Sequence, residues 1–478
     1  MISILQLWFG VTRPVGRTAY ALSGLGLMAL KYAVEALVIW SLASAAYWPW
    51  HFLNPLVSLR TQMLQGAPPW VGWALVAWSL PFVWIALSMS VRRAADAGNS
   101  PWLGLLVLVP VVNLLFMLAM CLVPRAGRGW TPRARAASDE ALARSAALAL
   151  GISLMVGAAM LLISVYLLES YGAALFFGTP LVMGAVAAYR HNREFSRSYP
   201  ASVGLGMGAV LVAGTALLLF ALEGVICVAM ALPLMLPMGA LGGAIGKAIA
   251  DASADPRGWV AAVALLPLVS LVEGRWNSAP EHVVRTAVEI DAPPQIVWRH
   301  VVGFPELPPP RQWYFRTGIA CPERAEIFGQ GVGAVRHCVF TTGTFVEPIT
   351  AWEPGRRLAF DVTSQPAPLF ELTPYRHVHP PHLDGYLRSH RGEFRLVALP
   401  DGRTRLEGRT WYQFDMFPQA YWTLWSQTFI HAIHRRVLEH VQQLAERDAR
   451  GTAGPHPWRR KVKIEPAEVR QRGRPADA

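Results

Sequence analysis

Histidine is the residue whose clustering most directly suggests chemistry near neutral pH. Tyr375-Arg-His377-Val-His379-Pro-Pro-His382 packs three imidazoles into six residues. Three neutral imidazoles and a water make a catalytic zinc site. Here Pro380-Pro381 imposes an extended loop without helical i, i+4 geometry, and the only acids near in sequence are Glu371 and Asp384. The pattern favours a rigid lid over a metal centre, and no metal is expected. His431, His434 and His440 form a second group on a helical segment. His431 and His434 share a face at i, i+3, off the apolar stripe of that segment, so a solvated or head-group-facing edge is expected for them. Arg336, Glu347, Glu407 and Tyr412 are acid, base or hydrogen-bonding groups inside strand-like segments. They are the candidate polar groups of a ligand site. Which of them point inward depends on register, because a one-residue slip reverses the face. Glu347 with His337 would supply the acid–base pair of an enzyme.

Other motifs carry less chemistry. Gly329-x-Gly331-x-Gly333 lacks the strand-before, helix-after setting of a nucleotide loop and reads as a hairpin turn. Cys321 and Cys338 have sixteen residues between them, which fits no zinc pattern. A disulfide in an oxidising compartment and two buried thiols both remain open. The segment from Gly451 carries seven basic and three acidic residues, with Trp458-Arg-Arg-Lys-Val-Lys463 suited to anionic lipid. It is expected to be a disordered tail over 451–478. No recognition motif accompanies it, so no nucleic-acid partner is expected.

The elements that must position these residues lie in a polar half, residues 278–450. Strand patterns run over Val283–Ile290, Ala334–Phe340, Gly343–Glu347, Arg357–Val362, Gly392–Val397 and Arg403–Tyr412. Gln295–Val302 reads as a short helix, Pro305–Pro310 as a proline-rich loop, and Leu399-Pro-Asp-Gly402 as a hairpin turn. A long helix spans about Pro418–Ala445. Its apolar stripe is Trp422, Trp425, Phe429, Ile433, Val437, Val441 and Leu444, at three- and four-residue steps.

This order, with Ile290-Asp-Ala-Pro-Pro-Gln-Ile-Val-Trp298, Gly329-Gln-Gly-Val-Gly-Ala-Val-Arg336 and Trp352-Glu-Pro-Gly-Arg-Arg-Leu-Ala-Phe360, resembles the SRPBCC superfamily of START lipid-transfer domains and polyketide cyclases. The resemblance implies a helix-grip fold, a curved antiparallel sheet around a long C-terminal helix with an apolar cavity between them. It also implies binding of a hydrophobic ligand, with chemistry in some members and no universal catalytic residue. Trp422, Trp425 and Phe429 would form the cavity wall, and Arg336, Glu347, Glu407 and Tyr412 would orient the ligand.

The half before Glu273 is different in kind. The whole chain has 478 residues, 53% apolar and only 15% charged, where soluble proteins carry about 25% charged residues. Its net charge of +12 suits anionic lipid. A spanning helix needs roughly 20 mostly apolar residues. The sequence offers eight candidates: Ala19–Ser44, Trp70–Val91, Trp102–Val123, Ala146–Leu168, Ala173–Tyr189, Ser202–Leu222, Gly224–Ile245 and Gly258–Val272. No cleavage site follows a short apolar core, so the first span is expected to stay. Lys31 and Glu35 can pair on one helix face. Arginines cluster after the third, fifth and seventh spans, which puts those loops in the cytoplasm and the polar half outside it. Arg13, Arg17, Arg92 and Arg93 point the other way.

Arg92-Arg93-Ala-Ala-Asp96-Ala-Gly98-Asn-Ser100-Pro-Trp102, with Arg17-Thr-Ala-Tyr20 ahead of the first span, resembles a family of small bacterial inner-membrane proteins of unknown function. The resemblance implies a membrane domain and no reaction. Arg92, Arg93 and Asp96 form a charged collar, and Trp102 is expected as an interfacial anchor.

The expected organisation is a membrane domain of about three spans over 1–124, further membrane helices over 125–277, and an SRPBCC-like domain over 278–450. The expected function is binding of a lipid or other hydrophobic small molecule at the inner membrane, with no cofactor. The alternatives are a cyclase- or hydrolase-like enzyme acting on a membrane-derived substrate, and a transporter with a regulatory soluble domain.

Overall fold

The computed structural model describes residues 4–10, 13–54, 63–64, 66–68, 70–109, 112–126, 138–252, 258–276, 280–373, 375 and 378–451. The chain divides into two compact units, Met1–Asn277 and Ser278–Ala478.

The first unit is helical: α1 Arg17–Ala43, α2 Trp70–Asp96, α3 Val112–Leu122, α4 Asp139–Leu161, α5 Thr179–Glu194, α6 Tyr199–Leu219, α7 Val225–Ala252 and α8 Gly258–Trp276. Five helices among the described residues are long and apolar enough to cross a membrane: α1, α2, α4 with its π-helical extension to Leu167, α6 and α7. Of the eight expected segments, five meet that length and composition. Trp102–Val123 breaks into the 3-10 turn Pro101–Leu108 and the short α3. Ala173–Tyr189 becomes a π-helical turn, Ala174–Gly178, leading into α5. α8 has only a short apolar stretch, Gly258–Glu273.

α5 is buried along most of its length because α6 and α7 approach it closely. Glycines permit that approach. A Cβ at Gly242 would lie 2.1 Å from the Leu181 carbonyl oxygen, and one at Gly206 would lie 2.3 Å from that of Gly239.

The Arg-Arg-x-x-Asp collar is an internal tie. Arg92 Nη2 donates to the Leu7 carbonyl at 2.6 Å. Arg93 donates to the Met120 carbonyl at 3.0 Å and to Asp96 at 3.1 Å. Lys31 and Glu35 form the expected ion pair. Trp102 is no interfacial anchor: it is 3% exposed and meets Tyr189 edge-on at 5.2 Å. Its core cluster joins Leu87 and Leu105 with Val156, Leu181 and Ile245. This cluster draws residues from both sides of residue 124.

The second unit is a seven-stranded antiparallel sheet with two helices. Its strands are β1 Glu281–Ile290, β2 Pro322–Phe328, β3 Val335–Phe340, β4 Gly343–Glu353, β5 Arg357–Asp361, β6 Leu387–Ala398 and β7 Thr404–Phe414, in the order β1-β7-β6-β5-β4-β3-β2. α9, Pro294–Val302, follows β1, and the long α10, Gln419–Ala449, closes the chain. Alternation places Ile290, Leu358, Leu396 and Leu406 in one core with Val437, Leu438, Val441 and Leu444 of α10. β2 was absent from the sequence reading. It begins at a proline, and its run Glu323-Arg-Ala-Glu-Ile327 is mostly charged. The β2–β3 connection is the expected glycine turn, with Gly329, Gly331 and Gly333 at φ of +93°, +83° and +88°. Cys321 and Cys338 are both free and buried.

Candidate ligand site

Arg336 on β3 and Glu347 on β4 are direct register partners. Both are even steps from the apolar residues Cys338, Phe340 and Ile349, so the pleat turns all five to the inner face. Arg336 is 2% exposed and Glu347 6%. Arg336 Nη1 donates to Glu347 Oε2. The guanidinium carbon lies 5.7, 5.4 and 5.5 Å from the ring centres of Phe304, Phe360 and Phe394, close enough for cation–π attraction. Burial works against the Arg336 charge, but Glu347 and Cys338 together outweigh it and keep the guanidinium charged, while burial pushes the Glu347 carboxyl up and Arg336 opposes that shift. Burial pushes the neighbouring Cys338 thiol up to about 12, so it stays protonated. Arg336 Nε has no hydrogen-bond partner among the described residues. The site therefore offers a spare, fully buried donor.

A groove of about 770 Å³ lies in the same unit, and neither member of this pair lines it. The proline-rich loop, with Leu307 and Pro308–Pro310, forms one wall. Cys321 and Glu323 flank it, and Arg436, His440, Leu444 and Arg447 of α10 form the other wall. Arg436 ties the walls together by donating to the carbonyls of Pro308 and Pro322, the latter at 3.4 Å. Burial holds His440 below the ordinary imidazole value, which keeps it neutral. Phe304 separates the groove from the ion pair. Its ring centre is 6.0 Å from that of His440 on one side and 5.7 Å from the Arg336 guanidinium on the other. Backbone hydrogen bonds of 3.1 Å in both directions with Ala325 hold Phe304 in place.

The other expected site residues lie elsewhere. Tyr412 is fully buried on β7 and hydrogen-bonds Ser426 of α10 at 2.9 Å. β7 and β3 are four places apart in the sheet, about 19 Å at the usual strand spacing, so Tyr412 and Arg336 do not share one polar cluster. Glu407 is corrected: it occupies the opposite face from Leu406 and Gly408 and pairs with Arg409. Trp422 is buried, and its indole N–H donates to the Phe417 carbonyl at 3.3 Å. Trp425 stacks on Phe429 at 6.1 Å, and Phe429 meets Tyr314 at 5.9 Å. None of the seven expected residues lines the groove. His337 is one residue from Arg336 on a strand and so takes the outer face. It packs on Phe328 at 5.0 Å and is not an acid–base partner for Glu347.

The expected solvated edge on α10 is also corrected. His434 Nε2 bonds Thr410 Oγ1 at 2.8 Å, and His434 Nδ1 bonds Thr286 Oγ1 at 3.1 Å. His431, which is exposed, reaches the same Thr286 at 2.8 Å. Burial, then repulsion from His431, pushes the His434 pKa down to about 4. In the Pro380–Pro381 loop, His379 pairs with Asp384 at 2.9 Å on the surface. His377 lies outside the described residues, as does the segment after Gly451.

The sequence reading missed Phe304, Arg436 and Cys338 as site residues. Arg436, His440 and Arg447 are spaced along one helical face, which is a usable signal. The proline loop that faces them has no periodicity to read.

Residues 281–446 match the family described as polyketide cyclase / dehydrase and lipid transport. The C-terminal unit resembles the SRPBCC superfamily. Residues 9–129, at the other end, match a family of proteins of unknown function, DUF805. Solved structures similar to the SRPBCC-like unit include the Zhui aromatase/cyclase from Streptomyces sp. R1128, with 18% identity over 37% of this chain and 100% of that one and a TM-score of 0.24. Another is a norcoclaurine synthase point mutant from Thalictrum flavum, with 12% identity over 35% of this chain and 96% of that one and a TM-score of 0.24. No curated protein matches the chain.

Proposed function

We propose that this is a multi-span inner-membrane protein whose SRPBCC-like domain binds a lipid or another hydrophobic small molecule. The ligand lies along the groove between the proline loop and α10, and its polar end is directed past Phe304 at Arg336. The carrying observation is the Arg336–Glu347 pair. A buried ion pair costs several kcal/mol per ion in desolvation, and apolar residues of similar volume often stabilise a fold as well or better. A pair kept on the inner wall, ringed by phenylalanines and with a donor unused, fits ligand recognition better than stability. Leu307, Leu444 and the prolines supply apolar surface, worth about 25 cal/mol per Å² buried.

Five apolar helices in the same chain support a membrane setting.

The test is native mass spectrometry of the full chain in detergent after exposure to bacterial lipid extracts. A retained apolar ligand is expected, reduced in Arg336→Met. A folded protein with no bound mass across several extracts would overturn the reading.

A further inference from the structure

We propose that the ligand is uncharged and carries a hydrogen-bond acceptor, such as a carbonyl oxygen, at its buried end. The inference rests on the reading of Arg336 and the groove as a ligand site, and it narrows the chemistry of that ligand.

Charge balance is the first argument. Arg336 already faces one carboxylate, Glu347, directly across the strands. With Glu347 ionised the pair is neutral as a unit; burial pushes the Glu347 carboxyl up, and the adjoining guanidinium opposes that shift. A carboxylate or phosphate placed there would add a second anion for a single guanidinium, in a wall made of Phe304, Phe360 and Phe394. An unpaired buried charge is the most costly group to desolvate. An ammonium group would meet the guanidinium.

Hydrogen bonding is the second argument. Arginine brings five N–H donors and no acceptor, and the Nε–H is both buried and without a partner among the described residues. What it lacks is an acceptor. The Cys338 thiol on the same face, kept protonated by burial, is a weak sulfur acceptor for the Arg336 guanidinium and supplies no competing anion.

The groove agrees with both. Arg436 and Arg447 are offset by Glu306 and Glu323 along its walls, so no single-sign field selects a charged ligand. An apolar chain with a neutral polar end satisfies the prolines and leucines of the groove and the lone donor behind Phe304.

The experiment uses the full chain in detergent at mildly alkaline pH, with methyl undecyl ketone, dodecanoate and tridecane as competing probes read by native mass spectrometry. The wild type is expected to favour the ketone by about tenfold or more over both others, the preference that about 1.4 kcal/mol of discrimination gives. Glu347→Gln removes the neutralising charge and is expected to invert the ranking, with dodecanoate above the ketone. The double substitution Arg336→Met with Glu347→Met keeps the wall apolar and is expected to bind ketone and tridecane alike. If Glu347→Gln does not fold, the wild-type ranking and the double variant still decide. Binding of dodecanoate as tightly as the ketone by the wild type would overturn this inference and leave the ligand site standing. Failure of every probe to bind the wild type would overturn the site and this inference together.

Discussion

Arg336 and Glu347 are opposed across adjacent antiparallel strands, and their side chains meet on the inner face behind the ring of Phe304. Their coupling sets the first prediction. Arg336→Met or Glu347→Met alone leaves a buried charge without its partner and is expected to cost about 3–5 kcal/mol. The two together are expected to be near neutral, because both desolvation penalties vanish. Hydrogen-exchange protection of the β3 and β4 amides measures this. Additive losses in the double variant would show that the pair does not act as a unit.

His434 gives the stability of the SRPBCC-like domain a pH dependence. Its folded-state pKa is about 4 against an ordinary 6.5, so the unfolded chain takes up the proton first as pH falls. The stabilisation is complete above about pH 6.5 and is lost progressively down to about pH 4, by up to about 3 kcal/mol. His434→Gln is expected to flatten this slope. Exchange rates of β1 and β7 amides, followed from neutral to acidic pH, are the readout. An equal slope in wild type and variant would remove His434 as its source.

The helical unit contains its own control. Gly206 and Gly208 are two residues apart on α6. A Cβ at Gly206 would meet the Gly239 carbonyl oxygen at 2.3 Å, while one at Gly208 meets nothing within 4 Å. Gly206→Ala is expected to lower thermal stability in detergent markedly. Gly208→Ala should leave it unchanged or raise it, since alanine gains about 0.5–1 kcal/mol over glycine in a helix interior. Equal melting temperatures would argue against the close approach of α6 and α7.

Glu407 tests the register. It pairs with Arg409 on the outer face of β7, where a partly exposed pair is worth about 0–1 kcal/mol. Glu407→Gln is expected to change stability within that range and to leave ligand retention intact. A loss of ligand comparable to that in Arg336→Met would mean that Glu407 reaches the interior.

Much of this protein was legible in its sequence for a local reason. A period of two for strands and 3.6 for helices is written in neighbouring residues. β1, β3 and β7, the stripe of α10, the glycine turn at Gly329–Gly333 and the apolar character of the first half follow from it. β2 escaped because its charged residues mask the alternation of Ala325 and Ile327. Three of the eight apolar segments form no long apolar helix, because hydropathy records how apolar a segment is and not what covers it. α5 lies against other helices through glycine contacts that no sequence window reports.

The sequence named Arg336 and Glu347, but only the register could show that they meet and that Glu407 and His337 turn away. It offered His431 and His434 as one exposed edge, and only the packing of α10 on β1 and β7 divided them into a surface residue and one held between two threonines. Phe304 carried no signal at all. Its position between the groove and the guanidinium depends on a loop, a strand and a helix far apart in the chain, and contacts of that range exist only once the sheet has closed on α10.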